Sequence, residues 1–268
     1  MRDIEYLVIG HVARDLTPAG PVAGGTVTYA GRTAVALGCR TAALTSVAPD
    51  FDLAWALPDL RVHSVAAAHT TTFENVYTPH GRRQTLHARA QSLTAADVPA
   101  AWERAPIVHL GPIANEIDVE MISLFSNSLV GMTPQGWLRR WNGEGHVYAT
   151  EWPAAPDVLP LAAAVILSEE DLLNQTMLDD YRRWSRLLVL TQGPRGCTVF
   201  CRDDVRQFPA PKVTQVEPTG AGDIFAAAFL IRLYQTAGNP WEAAVFANQI
   251  ASHSVTQKRL EDKIRIHR

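Results

Sequence analysis

The segment Glu217-Pro218-Thr219-Gly220-Ala221-Gly222-Asp223 runs directly into the apolar stretch Ile224-Phe225-Ala226-Ala227-Ala228-Phe229-Leu230, and its residue types can handle a phosphate. Gly220 and Gly222 lack a Cβ, so the backbone can take positive φ and approach a ligand closely. The helix predicted by the apolar stretch would aim its unpaired first-turn N–H groups and the positive end of its dipole at an anion. A stretch that is apolar all round marks a buried helix, so its N-terminus opens inside the molecule. There the Asp223 carboxylate can accept a proton from a hydroxyl lying beside the phosphate. A lone first-turn acid would equally complement the helix dipole, and it is the flanking glycines that favour the chemical role.

Thr219-Gly220-Ala221-Gly222-Asp223 resembles the D-T-x-G-A-G-D signature of the PfkB (ribokinase-like) carbohydrate kinase family. The resemblance implies an anion hole formed by Gly220, Ala221 and Gly222, with Asp223 as the base that deprotonates the acceptor hydroxyl. It also implies ATP as phosphoryl donor, Mg2+, and a sugar, polyol or nucleoside as acceptor. The first acid of the signature is Glu217 here, with the same charge on a longer arm, and its implied metal contact would run through water.

Further matches lie upstream. Asp15 and the pair Gly24-Gly25 fit the family's sugar-binding Asp and its Gly-Gly beside the acceptor. A turn cap and a flexible turn would explain the same residues. Where the family commonly has Asn, this chain has Tyr29, which offers one hydroxyl and a flat apolar face in place of an amide. Leu167-Ser168-Glu169-Glu170-Asp171 stands where the family reads N-x-x-E. Asp171 would then organise water around magnesium, an ion that dehydrates reluctantly. Without the resemblance, Ser168 and the three acids read as a helix N-cap with an acidic first turn. Thr191, Gly193 and Gly196 match the T-x-G-x-x-G that borders the nucleotide, and Asn248 matches a helical position near the adenine. Gln135 and Arg139 follow a predicted strand and point either into the acceptor cleft or away from it on a surface helix packed by Trp137 and Trp141. Their Q-G-x-x-R spacing resembles plant myo-inositol kinases of the same family, which implies a polyol acceptor.

These residues need a scaffold. Tyr6 to Gly10 reads as a buried strand, Thr28 to Leu37 as a helix stopped by Gly38, and Thr41 to Val47 as the next strand. Apolar strands at Ile107 to Leu110, Leu129 to Met132, Val147 to Thr150, Ala163 to Leu167 and Leu187 to Thr191 alternate with helical patterns. Such alternation predicts an α/β fold, a doubly wound, mainly parallel sheet flanked by helices, which the resemblance makes ribokinase-like. Residues 62–93 break the rhythm with β segments around the turn Thr78-Pro79-His80-Gly81, and Asn75, Tyr77 and Arg83 there are candidates for setting the acceptor. This predicts one kinase domain over residues 1–268 with a small β lid inserted at about 62–93; an edge extension of the main sheet is the other reading. In this family such lids sometimes pair between subunits, which would make a homodimer.

With 47% hydrophobic and 19% charged residues in 268, the chain can bury a full core. A net charge of −3 supplies no basic field for nucleic acid or an anionic membrane. Cys39, Cys197 and Cys201 form no C-x-x-C pair, and no apolar run reaches the roughly 18 residues that span a bilayer, so a cytoplasmic enzyme is expected. Two alternatives remain at this level. One is a catalytically weak family member that acts as a ligand sensor. The other is a dinucleotide-binding oxidoreductase, disfavoured because Gly10-His11-Val12-Ala13-Arg14-Asp15 has one glycine where G-x-G-x-x-G needs three.

Overall fold

The computed structural model describes residues 4–78 and 81–265. Among the described residues fifteen strands are interspersed with helices. The first is β1 (Tyr6–Ile9), followed by β2 (Ala13–Thr17), β3 (Gly20–Gly24), β4 (Thr41–Val47) and β5 (Arg61–Ala66). Next come β6 (Thr72–Thr78), β7 (Gly81–Ala88), β8 (Ile107–Leu110), β9 (Leu129–Met132), β10 (Arg139–Trp141) and β11 (Val147–Ala149). The last are β12 (Ala164–Ser168), β13 (Leu187–Thr191), β14 (Cys197–Cys201) and β15 (Asp204–Phe208). Nine of them form the central sheet in the order β15-β14-β13-β12-β9-β8-β1-β4-β5. All neighbours pair in parallel except at one edge, where β14 and β15 run antiparallel.

The inner parallel strands are buried along their length, as in Tyr6–Ile9 and Ile107–Leu110, because helices and turns cover both faces, whereas the edge strand β5 is exposed or half-buried throughout. On one face lie α1 (Thr26–Ala36), α5 (Ala221–Gln235) and α6 (Pro240–Ser254), with α5 buried from Ile224 through Ile231. The other face packs a second core around Leu7, Leu110, Met121 and Trp137, joined by α4 (Gln175–Trp184) through Met177 and Tyr181. Short helical turns α2 (Leu53–Ala56), α3 (Ala155–Val158) and α7 (Leu260–Lys263) complete the helices. No helix among the described residues is long and apolar enough to cross a membrane.

The observed fold is the expected doubly wound, mainly parallel α/β type, with local differences. Residues 62–66, expected in the inserted hairpin, instead lie within β5, paired with β4 at the edge of the main sheet. An edge strand with one covered face has the same alternation as a hairpin strand, so the pattern alone could not separate them. The smaller sheet has the order β3-β2-β6-β7, and half of it comes from residues 13–24. The tip of the expected turn, Pro79-His80, and the Tyr77 side chain lie outside the described residues. Val147–Ala149 does not enter the main sheet but pairs with β10 in a two-stranded ribbon. The first helix starts at Thr26, two residues earlier than its apolar pattern indicated, because Gly25 at φ +84° turns the chain directly into it.

Candidate active site

The strand order runs outward from β1 in both directions, to β4 on one side and β8 on the other, and open α/β sheets bind ligands beyond the carboxyl ends of strands at such a switch point. A cavity of about 1000 Å³ lies there. Its walls come from the ends of the central strands, from the smaller sheet (Asp15, Phe73, Asn75, Gln84), and from the turn that starts α5 (Thr219 to Asp223).

That turn is built tightly. Gly220 is the N-cap of α5 in left-handed conformation, φ +80°, and an added Cβ would overlap the Tyr29 ring. Only glycine meets both demands. At Gly222 an added Cβ would meet no atom within 4 Å, so open cavity lies directly over the backbone there. The Ala221 N–H is held inside the turn by Pro218 O at 3.1 Å. Behind the turn, buried Lys263 of α7 donates to Glu217 O (2.6 Å) and Thr219 O (2.7 Å).

The Asp223 carboxylate sits in the first turn of α5, and its Oδ1 accepts from Thr26 Oγ1 at 2.7 Å. Burial pushes its pKa up from an ordinary 3.8 to about 6. The Thr26 hydrogen bond and the Arg139 charge pull it back down, while the Asp15 and Asp171 carboxylates add to the rise. Asp223 is therefore an acid–base group poised just below neutrality, with the other carboxylates and Arg139 in its field.

Of the residues singled out from sequence, Asp15, Gly25, Tyr29, Gln135, Arg139, Asp171, Thr191, Gly193, Gly196 and Asn248 all line the cavity, together with Gly220, Ala221, Gly222 and Asp223. Gly24 lies just behind the wall, where an added Cβ would overlap the Asp15 carboxylate. The glycine is what lets Asp15 lie flat against β3. Gln135 is in a 3-10 turn, Pro134–Gly136, and Arg139 begins β10, in place of the surface helix considered from sequence. Trp137 is buried and stacked on Trp152, with ring centroids 4.5 Å apart. Gln135 Nε2 donates to Asp171 Oδ1 at 3.3 Å, which joins the expected acceptor and metal groups. Ser168 caps its turn by accepting from Glu170 N at 3.2 Å, so the N-cap reading of that segment holds alongside Asp171's place in the wall. Asn248 Nδ2 donates to Phe208 O at 2.9 Å and ties α6 to the end of β15.

Glu217 is placed differently. Its Oε1 accepts from Thr219 N (2.9 Å) and Thr219 Oγ1 (2.6 Å), and the residue is not in the cavity wall with Asp171. Burial raises its carboxyl, but the Thr219 hydrogen bonds and the charges of Lys263 and Lys258 outweigh this and hold it below the ordinary value. Thr26, Thr133, Gln84 and Lys263 escaped sequence reasoning. Thr26 meets Asp223 across 197 positions, and Lys263 reaches back 44 and 46 positions, so no local spacing signals either contact.

Residues 142–265 match the model of the pfkB family of carbohydrate kinases. The chain is similar to a putative sugar kinase of Pyrococcus horikoshii, 29% identical over 59% of this chain and about half (52%) of that protein. It is 23% identical to a cytidine kinase of Thermococcus kodakarensis over 90% of this chain and 92% of that one. Among solved structures, a pyrophosphate-dependent kinase in the ribokinase family, complexed with a pyrophosphate analogue and myo-inositol, superposes with a TM-score of 0.83 at 21% identity. That superposition covers 97% of this chain and all of the other, and at this identity it speaks for the fold. Residues 142–265, which hold the glycine turn and Asp223 at the start of α5, are thus similar to the pfkB family of carbohydrate kinases, and the sheet behind them has the ribokinase-like fold.

Proposed function

We propose that the cavity transfers a phosphoryl group to a hydroxyl of a small polyol or sugar, with Asp223 as general base. The observation that carries this reading is the Asp223 carboxylate, raised to about 6 and held by Thr26, beside the open backbone at Gly222. In the ionised form that predominates near neutrality it takes the acceptor proton as the oxygen attacks phosphorus. The start of α5 receives the negative charge of the transferred group through its backbone amides and dipole.

The acceptor lies between that turn and the smaller sheet, where Asp15, Asn75, Gln84, Gln135 and Arg139 present hydrogen-bonding side chains suited to several hydroxyl groups. The smaller sheet acts as the lid, and Phe73 supplies its apolar contact. The donor takes the far end, past Gly193 and Arg195. We assign ATP because a second pocket of about 340 Å³, walled by Phe208, Pro209, Pro211 and Val245, adjoins this end, and a flat apolar base fits such walls. Magnesium fits as an ion held largely through water and phosphate oxygens. Asp171 and Glu169 line the cavity, and no group of three or more potential ligands occurs among the described residues. When bound, the ion neutralises charge on the donor phosphates.

The test is product formation from myo-inositol, D-fructose and cytidine with either ATP or pyrophosphate as donor. Turnover of a polyol or sugar with ATP is expected, and Asp223→Asn should lower it by about 10²-fold or more. Activity with pyrophosphate alone would overturn the nucleotide assignment, and an undiminished Asp223→Asn enzyme would overturn the base.

A further inference from the structure

Three polar side chains on adjacent strands form a line that ends at the cavity. Tyr6 Oη on β1 lies 2.8 Å from His109 Nδ1 on β8, and His109 Nε2 lies 3.0 Å from Thr133 Oγ1, just past β9. Tyr6 and His109 are fully buried, whereas Thr133 lines the cavity. Burial pushes the His109 imidazole down to about 3, so it is neutral throughout the working range of an enzyme.

The direction of this line follows from proton counting. A neutral imidazole has one N–H. If that proton were on Nδ1 and pointed at Tyr6, the phenolic proton of a fully buried Tyr6 would be left without its recorded partner, at a cost of about 1–3 kcal/mol. Tyr6 therefore donates to Nδ1, and Nε2–H donates to Thr133 Oγ1. The Thr133 proton cannot point back at Nε2 and turns to the cavity.

Thr133 stands on the same wall as the catalytic carboxylate. An added Cβ at Gly111 would lie 3.3 Å from Thr133 Oγ1 and 3.0 Å from Thr26 Cβ, and Thr26 is the residue that holds Asp223. The two threonines thus flank one small gap kept clear by Gly111.

We propose that Thr133 is a fixed hydrogen-bond donor to an oxygen of the phosphoryl acceptor next to the reacting hydroxyl, and that His109, backed by Tyr6, is the positioning residue that sets its direction. The acceptor class is one with a vicinal oxygen, as in a polyol or sugar. This rests on the phosphoryl-transfer reading above, and the test separates the two.

The first arm needs no turnover. Nitrogen-15 spectra of histidine-labelled enzyme should show the His109 imidazole neutral from about pH 5 to 8 with its proton on Nε2, told apart by mutation from buried His11, whose Nε2 faces Gln91 O at 2.8 Å. The signal should vanish in His109→Gln, and in Tyr6→Phe the two tautomers should mix. A proton on Nδ1 in the parent enzyme would overturn the proposal, whatever the enzyme's activity. The second arm uses whichever of myo-inositol, D-fructose and cytidine turns over fastest. Thr133→Val, which keeps the shape and loses the hydroxyl, should raise the acceptor KM about 3- to 10-fold with the donor KM unchanged, while Thr133→Ser stays near the parent. An unchanged acceptor KM in Thr133→Val would overturn the donor role. Absence of turnover with all three acceptors would count against the phosphoryl-transfer reading and leave the tautomer result to decide this one.

Discussion

Replacing Asp223 by asparagine should make the folded protein more stable while it abolishes most turnover. The carboxyl is raised from 3.8 to about 6 in the native protein, chiefly by burial. Between those values the native state keeps a proton that the unfolded chain has lost, so stability falls as pH rises through that window and the cost is constant above it. At 1.36 kcal/mol per pKa unit the full shift corresponds to about 3 kcal/mol. Water in the open cavity screens the carboxylate, and about 1–2 kcal/mol is the realistic gain from removing the charge. Asparagine keeps an oxygen to accept from Thr26 Oγ1, now 2.7 Å from the carboxylate, so little is lost in exchange. Thermal unfolding without ligands should therefore show Asp223→Asn about 2–6 °C above the parent at pH 8, with the gap closing near pH 4. A gap of equal size at both pH values would refute the electrostatic reasoning, and a variant less stable than the parent at pH 8 would refute the burial cost itself.

Other consequences follow from the same geometry. The pH dependence of kcat/KM should rise through about 6 as Asp223 ionises, and the rise should be absent from the residual rate of Asp223→Asn. Gly220→Ala forces a side chain into the Tyr29 ring at φ +80°, so turnover should drop by more than about 10-fold even where the protein folds, as steady-state assays with circular dichroism would show. Lys263→Met removes the ammonium from two carbonyls of the Glu217–Thr219 loop and should lower stability by about 2–4 kcal/mol in urea titrations, with turnover falling as the loop loosens.

The parts of the fold legible in the sequence were those decided locally. The apolar run after Asp223 and the fully buried strands near residues 6 and 107 have no exposed face, and they lie where their pattern put them. β5 was misplaced because burial on one face alternates in the same way whether the partner is a lid strand or β4. β11 had too few residues for length to tell a core strand from a ribbon. Within the site, Gly25, Gly193, Gly196 and Gly220 take positive φ, a backbone conformation that side chains disfavour, and that demand made them legible. Thr26, Thr133, His109 and Lys263 were not, since a lone Thr, His or Lys takes its role from a partner that only the tertiary fold brings near.

Glu217 shows why a departure from the family signature need not reach the chemistry. The longer arm lets its carboxylate fold back on its own loop, where it accepts from the amide and hydroxyl of Thr219. Lys263 holds the same loop from behind through the carbonyls of residues 217 and 219, and Val255 O receives the amides of Val216 and Glu217 at 2.8 and 3.1 Å. Every one of these contacts fixes the backbone that leads into Gly220, and none involves a group in the wall of the cavity other than Thr219 and Val255. The carboxylate therefore acts on the shape of the turn. A residue with such a role tolerates a change of arm length as long as an oxygen still reaches Thr219, whereas Asp223, which in the proposed reaction must meet both Thr26 and a reacting hydroxyl, has no comparable freedom.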